Sequence, residues 1–443
     1  MNIEKNPKAY KNTELEIQMK TGYKNMKCGL IGEHLEHSFS PQIHEKLADY
    51  SYELFEMSKD EIQSFALNGG LDAFNVTIPY KKDIIPFLDE ISPEASAIGA
   101  VNTVVRRDGR LYGYNTDYFG FEYMLSLSGI DPKGKKALVL GRGGASLTVA
   151  AVLRDKGVSA LTVLGSRDNT PENISLCRDV EIIVNATPVG MYPNNLKTPV
   201  NLSNFPNCVL VLDLIYNPTK TALLIDAEKL GITAVNGLPM LVAQAAKAFE
   251  FFTDDSFDPR DIERISADIS RETRNIVLVG MPSCGKSTLG KLLAEKTGRA
   301  FIDADEEFTR THKISPAKAI TELGEDAFRE MEHQVILELG KKSGVVIATG
   351  GGVVTREKNY APLHQNGVIL FLERKLENLS SNGRPLSQKT DISLLYAKRI
   401  DGYRAFADIT LSSQEVPELT ASLALSLLKE YDYSCIFKNN KGI

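Results

Sequence analysis

The chain has 443 residues, 43% hydrophobic and 24% charged, with a formal net charge of -6. Such a length predicts about three compact units rather than one, and the composition is that of a globular protein with real cores. An acidic balance argues against a nucleic-acid surface, which is normally basic, so no nucleic-acid partner is expected.

The five cysteines, Cys28, Cys177, Cys208, Cys284 and Cys435, are odd in number and never stand as a C-x-x-C pair. That is the pattern of free thiols in a reducing compartment. The first 26 residues are polar and mixed in charge, without the apolar core of a signal peptide. No run approaches the ~18 apolar residues of a membrane span. A soluble, cytoplasmic protein with no membrane partner is expected; the sequence is silent on oligomeric state.

In chain order, a polar extension over 1–26 precedes "KCGLIG", which opens an α/β block over 27–117. A second block, 118–270, opens with "KKALVLG" and continues through "ALTVLGS", "VEIIVNATP", "CVLVLDLIY" and "GITAVNG", with Gly157 and Gly231 as left-handed helix caps. "LPMLVAQAAKAFEFF" reads as a long apolar helix. "DPRDIERISADIS" reads as an amphipathic one, started by Asp258 and Pro259, with Ile262, Ile265 and Ile269 on one face. Residues 271–274 are left as a linker. A third α/β unit takes 275–443, with the tail "EYDYSCIFKNNKGI" frayed. Apolar strands alternating with helical patterns predict parallel sheets covered by helices, an α/β fold throughout.

Two glycine turns carry chemistry. "GMPSCGKST", Gly280 to Thr288, lies between the strand-like "NIVLV" and the helix "STLGKLLAEKTG". Gly280, Gly285, Lys286 and Ser287 satisfy G-x-x-x-x-G-K-[ST]. Glycines let the loop, including Ser283, Cys284 and Thr288, curl its N–H groups around phosphates at a helix N-terminus. Lys286 supplies a point charge to the outer phosphates and Ser287 a hydroxyl for Mg2+. ATP and Mg2+ are therefore expected.

Downstream, "FIDADEEF" ends a strand with Asp303 and Asp305, alternate residues that point the same way. "GEDAFRE" places Arg329 on a helix, and "ATGGGVV" sets Gly350, Gly351 and Gly352 directly after a strand. "NGRPL" puts Arg384 in a loop suited to a lid, and "YAKRIDGY" puts Arg399 on a helix. As an ordered set, residues 275–430 resemble shikimate kinase, a P-loop fold like that of the nucleoside-monophosphate kinases. The resemblance implies that Asp303 helps hold Mg2+ while Asp305 orients and deprotonates the acceptor hydroxyl. Arg329 and Arg399 would clamp the substrate carboxylate, with the Gly350–Gly352 backbone against its ring, and Arg384 would close over the phosphates. One departure is that "ENLSSNG", between Leu376 and Arg384, carries no cation, where such kinases usually have another arginine.

The earlier turn, "LVLGRGGAS", is strand, glycine turn and helix start, the opening of a dinucleotide fold. Gly141 and Gly143 are followed by Ser146 where a third glycine would stand. In the next strand, "ALTVLGSRD", a carboxylate would bind the ribose 2′-hydroxyl of NAD, and an arginine the 2′-phosphate of NADP. Ser166 and Arg167 come before Asp168, which favours NADP. Arg142 adds positive charge inside the turn, either stacked on the adenine or solvated.

Upstream, "EHSFSPQIH", "NVTIPYK", "GAVNTV" and "YNTDYFGF" are polar, small and near strand ends, so core packing does not explain them. Gln244, alone on an apolar helix face, suits a satisfied core residue as well as a ligand contact. Together these strings resemble shikimate dehydrogenase across 27–270, with a substrate domain over 27–117 and a Rossmann-like NADP domain over 118–270. The resemblance implies that Ser38 and Ser40 hold the substrate carboxylate, and that Thr77, Asn102, Tyr216 and Gln244 ring its hydroxyls. It makes Lys81 and Asp117 the catalytic pair. It lines NADP with Gly141, Arg142, Gly143, Gly144, Ala145, Ser166, Arg167, Leu214 and Gly237.

Hydride addition to a ketone leaves an alkoxide that needs a proton, and a lysine beside a carboxylate can donate one. A plain structural ion pair is the alternative. His34, His37 and His44 match no zinc spacing, so no metal beyond Mg2+ is expected. The sequence predicts a bifunctional enzyme with small-molecule substrates: NADPH-dependent reduction of 3-dehydroshikimate to shikimate, then ATP-dependent phosphorylation of shikimate. Two rivals are a dehydrogenase acting mainly on quinate and a metabolite-sensing module that retains both folds.

Overall fold

The computed structural model describes residues 19–36, 38–379 and 392–437. His37 and Arg384 lie outside the described residues.

Three sheets follow one another along the chain. The first joins β1 (Lys27–Gly32), β2 (Ser51–Glu56), β3 (Ala73–Val76), β4 (Glu90–Ile91), β5 (Thr103–Arg107) and β6 (Arg110–Tyr114) in the order β2-β1-β3-β5-β6-β4. It is mixed, not parallel as the alternation predicts: β5 runs antiparallel to both β3 and β6. The β5–β6 pairing follows from the turn that joins them. Asp108 (φ 49) and Gly109 (φ 78) are both left-handed, as a two-residue type I′ hairpin requires. The described end of the expected polar extension is docked, since Lys20 donates its N–H to Leu47 and Tyr23 stands edge-on to Phe249, ring centroids 6.0 Å apart. Helix α1 (Ser40–Leu47) covers this sheet.

Helix α2 (Asp117–Leu127) leads into the second sheet, β7 (Lys136–Leu140), β8 (Ala160–Leu164), β9 (Ile182–Asn185), β10 (Leu210–Asp213) and β11 (Thr233–Val235). It is parallel, in the order β11-β10-β9-β7-β8. Helices α3 (Gly144–Asp155) and α4 (Ala222–Lys229) are its crossovers. Then α5 (Leu238–Thr253) and α6 (Pro259–Thr273) return to the first lobe. There Val242, Phe249, Ile262, Ile265 and Ile269 share a core with Cys28, Leu30 and Ile43. Each such side chain, fully buried, is worth about 1.5–3 kcal/mol, which anchors the return.

Residues 271–273, expected as linker, continue α6, and only Arg274 separates it from the next strand. The Arg299 guanidinium donates to the carbonyls of Arg274 and Arg271 at 2.7 and 2.5 Å, so a cation closes the helix end where its dipole is negative.

The third sheet is parallel, in the order β13-β14-β12-β15-β16, built from β12 (Asn275–Val279), β13 (Ala300–Asp303), β14 (Val345–Ala348), β15 (Gly367–Glu373) and β16 (Ile409–Ser412). Its helices include α7 (Lys286–Thr297), α8 (Ala304–His312), α9 (Glu325–Gly340), α10 (Tyr360–His364), α11 (Ile392–Phe406) and α12 (Pro417–Phe437). The last runs through "EYDYSCIF", most of the stretch expected to fray.

The third lobe touches both others. Gly344 donates its N–H to Thr273 of α6 (2.7 Å), and Lys220 donates its own to Gln365 (2.8 Å). Thr219 N–H reaches Asn366 Oδ1 at 2.9 Å, and Asn195 Nδ2 reaches Gln365 Oε1 at 2.8 Å. No described helix is long and apolar enough to cross a membrane.

Candidate active sites

The first site forms where the strand ends of lobe one face the glycine turn of lobe two. Beyond β3 the chain passes Thr77, half-buried, and reaches Lys81, whose Nζ lies 2.5 Å from Asp117 Oδ2 at the start of α2. Both side chains are nearly enclosed, 12% and 7% exposed, which suits a charge-assisted pair. Beside it Asn102 donates from Nδ2 to Thr116 Oγ1 (3.0 Å) and Gln244 Oε1 (3.3 Å), and accepts the Thr116 N–H at 2.7 Å. Gln244 is thus tied into a buried network and also donates to the Leu241 carbonyl at 2.9 Å. Ser38 and Ser40 sit 3.1 Å apart, Oγ to Oγ. Burial raises the Tyr216 phenol, a hydrogen bond with Ser38 opposing, and the Tyr216 ring tilts over Phe39 at 5.1 Å.

The turn itself starts at Gly141, whose N–H reaches the Leu164 carbonyl at 2.7 Å. Gly143 precedes α3 with open space where a Cβ would point, and Ala145 lies in the first helical turn. A Cβ on Gly144 would stand 3.3 Å from the Cβ of Lys81. That closeness puts the glycine turn directly against the Lys81–Asp117 pair. Gly237 donates its N–H to Ile215 (3.0 Å), which brings it beside Leu214. Ser166 and Arg167 are exposed just past β8. Arg142, expected either to stack on the adenine or to be solvated, is exposed and pairs through Nη1 with Asp168 Oδ2 at 2.9 Å.

The second site lies at the C-terminal end of β12. Ser283 (φ 64) and Gly285 (φ 103) are left-handed, the curl that turns successive N–H groups inward to form an anion nest. Lys286, buried, donates from Nζ to the carbonyls of Gly280 and Met281, both at 2.9 Å. Cys284 is buried behind the loop, while Thr288 is exposed on α7. Ser287 Oγ donates to Asp303 Oδ2 at 2.7 Å, and Asp303 Oδ1 accepts the Asp305 N–H at 3.0 Å. A hydroxyl and a carboxylate so joined are hard oxygen donors, as Mg2+ takes.

Next to this loop is a cavity of about 530 Å3 lined by Asp305, Arg329, Glu332, the Gly350–Gly352 backbone and Arg399. Arg329 Nη1 bonds Glu332 Oε2 at 2.7 Å, and its Nε is a buried donor with no protein partner. A Cβ on Gly352 would fall 1.9 Å from Arg329 Nη2, so the guanidinium occupies space that only glycine leaves free. Arg399 Nη1 and the Tyr403 hydroxyl both donate to the Gly351 carbonyl, at 2.9 and 2.5 Å. Burial pushes the Glu332 carboxyl up, against the pull of Arg329, and the charge of Asp305 adds to the rise. Two buried guanidiniums at one cavity suit a carboxylate, which matches their fork geometry.

Sequence reading passed over Thr116, Glu332 and Tyr403. Glu332 follows Arg329 by three residues and Tyr403 follows Arg399 by four, spacings that share a helix face. That signal was available. Thr116 stood inside "YNTDYFGF" without a cue to its bond with Asn102.

Folds and clefts of this kind define a nicotinamide-dependent α/β reductase whose chain continues into a small P-loop kinase. Residues 30–104 match the family model described as shikimate dehydrogenase substrate binding domain, and residues 282–430 match that of shikimate kinase. The chain is 40% identical over 252 residues to the NADP(+) shikimate dehydrogenase of Clostridium beijerinckii, covering 52% of this chain and 93% of that one. To the counterpart from Chlorobaculum tepidum it is 38% identical over 274 residues, 53% of this chain and 92% of that one. Among solved structures it resembles shikimate dehydrogenase 1 from Peptoclostridium difficile (TM-score 0.51, 38% identity, 55% of this chain and 97% of that chain). It also resembles a chorismate mutase/shikimate 5-dehydrogenase fusion from Clostridium acetobutylicum (TM-score 0.51, 35% identity, 55% and 97%). The chain belongs to the shikimate dehydrogenase family and carries a shikimate kinase domain behind it.

Proposed function

We propose that the chain is a bifunctional enzyme of aromatic amino acid biosynthesis, reducing 3-dehydroshikimate with NADPH and then phosphorylating the shikimate it has made. The observation that carries the coupling is the 530 Å3 cavity. Arg329 and Arg399 suit the carboxylate of shikimate at one side, and Asp305 is there to take a proton from its hydroxyl.

In the reductase half, Ser38 and Ser40 bind the carboxylate, while Thr77, Asn102, Tyr216 and Gln244 hold the ring oxygens. NADPH, when bound along Gly141–Ala145, Leu214 and Gly237, supplies the hydride. Lys81 delivers a proton to the carbonyl oxygen as it becomes an alcohol, and Asp117 keeps the ammonium aimed. Contact between Gly144 and Lys81 supports the nearness this needs.

In the kinase half, the N–H groups from Ser283 to Thr288 and the Lys286 ammonium hold the phosphates in place. Mg2+, held from Ser287 and Asp303, would neutralise phosphate charge. Asp305 orients the acceptor hydroxyl and accepts its proton, while the two arginines fix the ring. Phosphoryl transfer depends mostly on such positioning and on charge neutralisation. Arg384, assigned to the lid, lies outside the described residues.

The buried free thiols of Cys28, Cys177, Cys208 and Cys284 support a cytoplasmic setting. Crystals soaked with shikimate test the reading. The ligand is expected with its carboxylate on Arg329 and Arg399 in one cleft and on Ser38 and Ser40 in the other; absence from both clefts would remove it.

A further inference from the structure

The Arg142–Asp168 pair bridges two loops that leave adjacent strands. Strands β7 and β8 are in parallel register, Leu140 opposite Leu164, so the glycine turn and the turn after β8 emerge side by side. The second turn is held shut: Asp168 and Asn169 both donate their N–H groups to Gly165 at 3.0 Å, and Asn173 Nδ2 donates to the Asp168 carbonyl at 2.7 Å. The Asp168 carboxylate then accepts the Gly165 N–H (3.3 Å) and the Arg142 guanidinium (2.9 Å). The pair lies across Gly165, where a Cβ would meet Arg142 Cδ at 3.1 Å and Asp168 Oδ2 at 3.2 Å.

This is the end of the second strand of a dinucleotide fold, where a carboxylate that binds the ribose 2′-hydroxyl selects NAD and an arginine that takes the 2′-phosphate selects NADP. Here both residue types are present, with Arg167 beside them, and the carboxylate is engaged by the glycine turn's own arginine. The side chains are 63% and 35% exposed, so the pair adds little stability. Its consequence is where the charge is committed. An unpaired Asp168 would repel a 2′-phosphate and accept a 2′-hydroxyl; a paired one does neither as well.

On the reading that the second lobe binds NADP, we propose that Arg142 is the specificity-determining residue of the reductase, acting through Asp168. By holding that carboxylate it suppresses NAD and leaves the 2′-phosphate to a net positive subsite. This differs from a direct contact between Arg142 and the phosphate, which would leave NADH affinity untouched when Arg142 is removed.

The test is binding of NADPH and of NADH to the full chain, followed by fluorescence energy transfer from tyrosine or by calorimetry, with kinase turnover of each sample reporting that the chain is folded. Arg142→Ala is expected to weaken NADPH about tenfold, the scale of one lost charged contact, and to tighten NADH about threefold or more. Arg142→Ala combined with Asp168→Ala is expected to lose the NADH gain. Arg142→Gln, which keeps bulk without charge, should follow Arg142→Ala. A NADPH-to-NADH preference unchanged in Arg142→Ala, or a NADH gain that survives the second substitution, overturns the proposal while the NADP reading stands. If the unaltered chain binds neither nucleotide, reading and proposal fall together.

Discussion

His364 of the third lobe and Glu228 of the second meet across the lobe boundary, imidazole Nε2 to carboxylate Oε2, at 3.1 Å. Lys220 reaches both, 2.8 Å from Nε2 and 2.9 Å from Glu228 Oε1, while Asp408 faces Nδ1 at 3.5 Å and the Tyr360 ring stacks at 4.7 Å. Burial works to lower the imidazole pKa, yet the two carboxylates outweigh it and Lys220 together, and the net direction is up. Burial likewise works to raise Glu228, but His364 and Lys220 hold it at about 2.

A raised imidazole stabilises the docked lobes fully below its ordinary value of about 6.5, and that contribution is lost as pH climbs through the higher folded value. Glu228 acts in another window, since its contribution disappears only on acidification below the carboxylate range. Because Glu228 is 42% exposed, the worth of the contact is discounted to about 1–2 kcal/mol. His364→Gln should lower the melting temperature by a few degrees near pH 6 and by less near pH 9. Parallel melting curves at both pH values would show that the imidazole carries no charge there.

Asp213, fully buried at the end of β10, is pushed up to about 7 by burial, although Thr221, Asn185 and the Ile215 N–H all donate to it. A carboxyl raised this far favours the fold while protonated, so its contribution fades as pH rises from about 4 to about 7. Asp213→Asn should flatten that part of the stability curve of the cofactor lobe, by an amount on the order of a few kcal/mol. Urea midpoints at pH 5 and pH 7.5 measure it, and an unaltered slope would count against the assignment.

Lys81→Ala should cut reductase turnover by about 10²–10⁴, the usual worth of a positioned acid or base, with kinase turnover intact. Lys286→Ala should do the reverse. Loss of both activities in either folded variant would contradict two separable sites.

Gly352→Ala should weaken shikimate binding by the kinase, as Arg329→Ala should, because the new methyl claims the space of the Arg329 guanidinium. The expected signature is a KM for shikimate raised about tenfold or more, beside an unchanged NADPH-dependent rate. A normal KM would mean that Arg329 is not where the carboxylate binds.

Much of this was legible because phosphate loops are local: Gly280–Ser287 and Gly141–Gly144 need backbone shapes that the sequence states outright. The Asp108–Gly109 hairpin was stated as clearly but hidden within an α/β alternation, so the first sheet was expected to be parallel. The helical stretch 271–273 was obscured by its polar residues, which Arg299 caps from the next lobe. What could not be read were bonds made only by tertiary packing, such as Asn102 to Gln244, 142 residues apart, and His364 to Glu228, 136 apart. No period or motif links such positions.

The most direct test is a coupled assay on one sample of the full chain, following NADPH oxidation on adding 3-dehydroshikimate and then ADP release on adding ATP. A shared ligand requires ADP in proportion to the NADPH already consumed, with Lys81→Ala suppressing both signals from 3-dehydroshikimate while ADP release from supplied shikimate persists. NADPH oxidation with no ADP to follow, or ADP release that ignores shikimate, would contradict it.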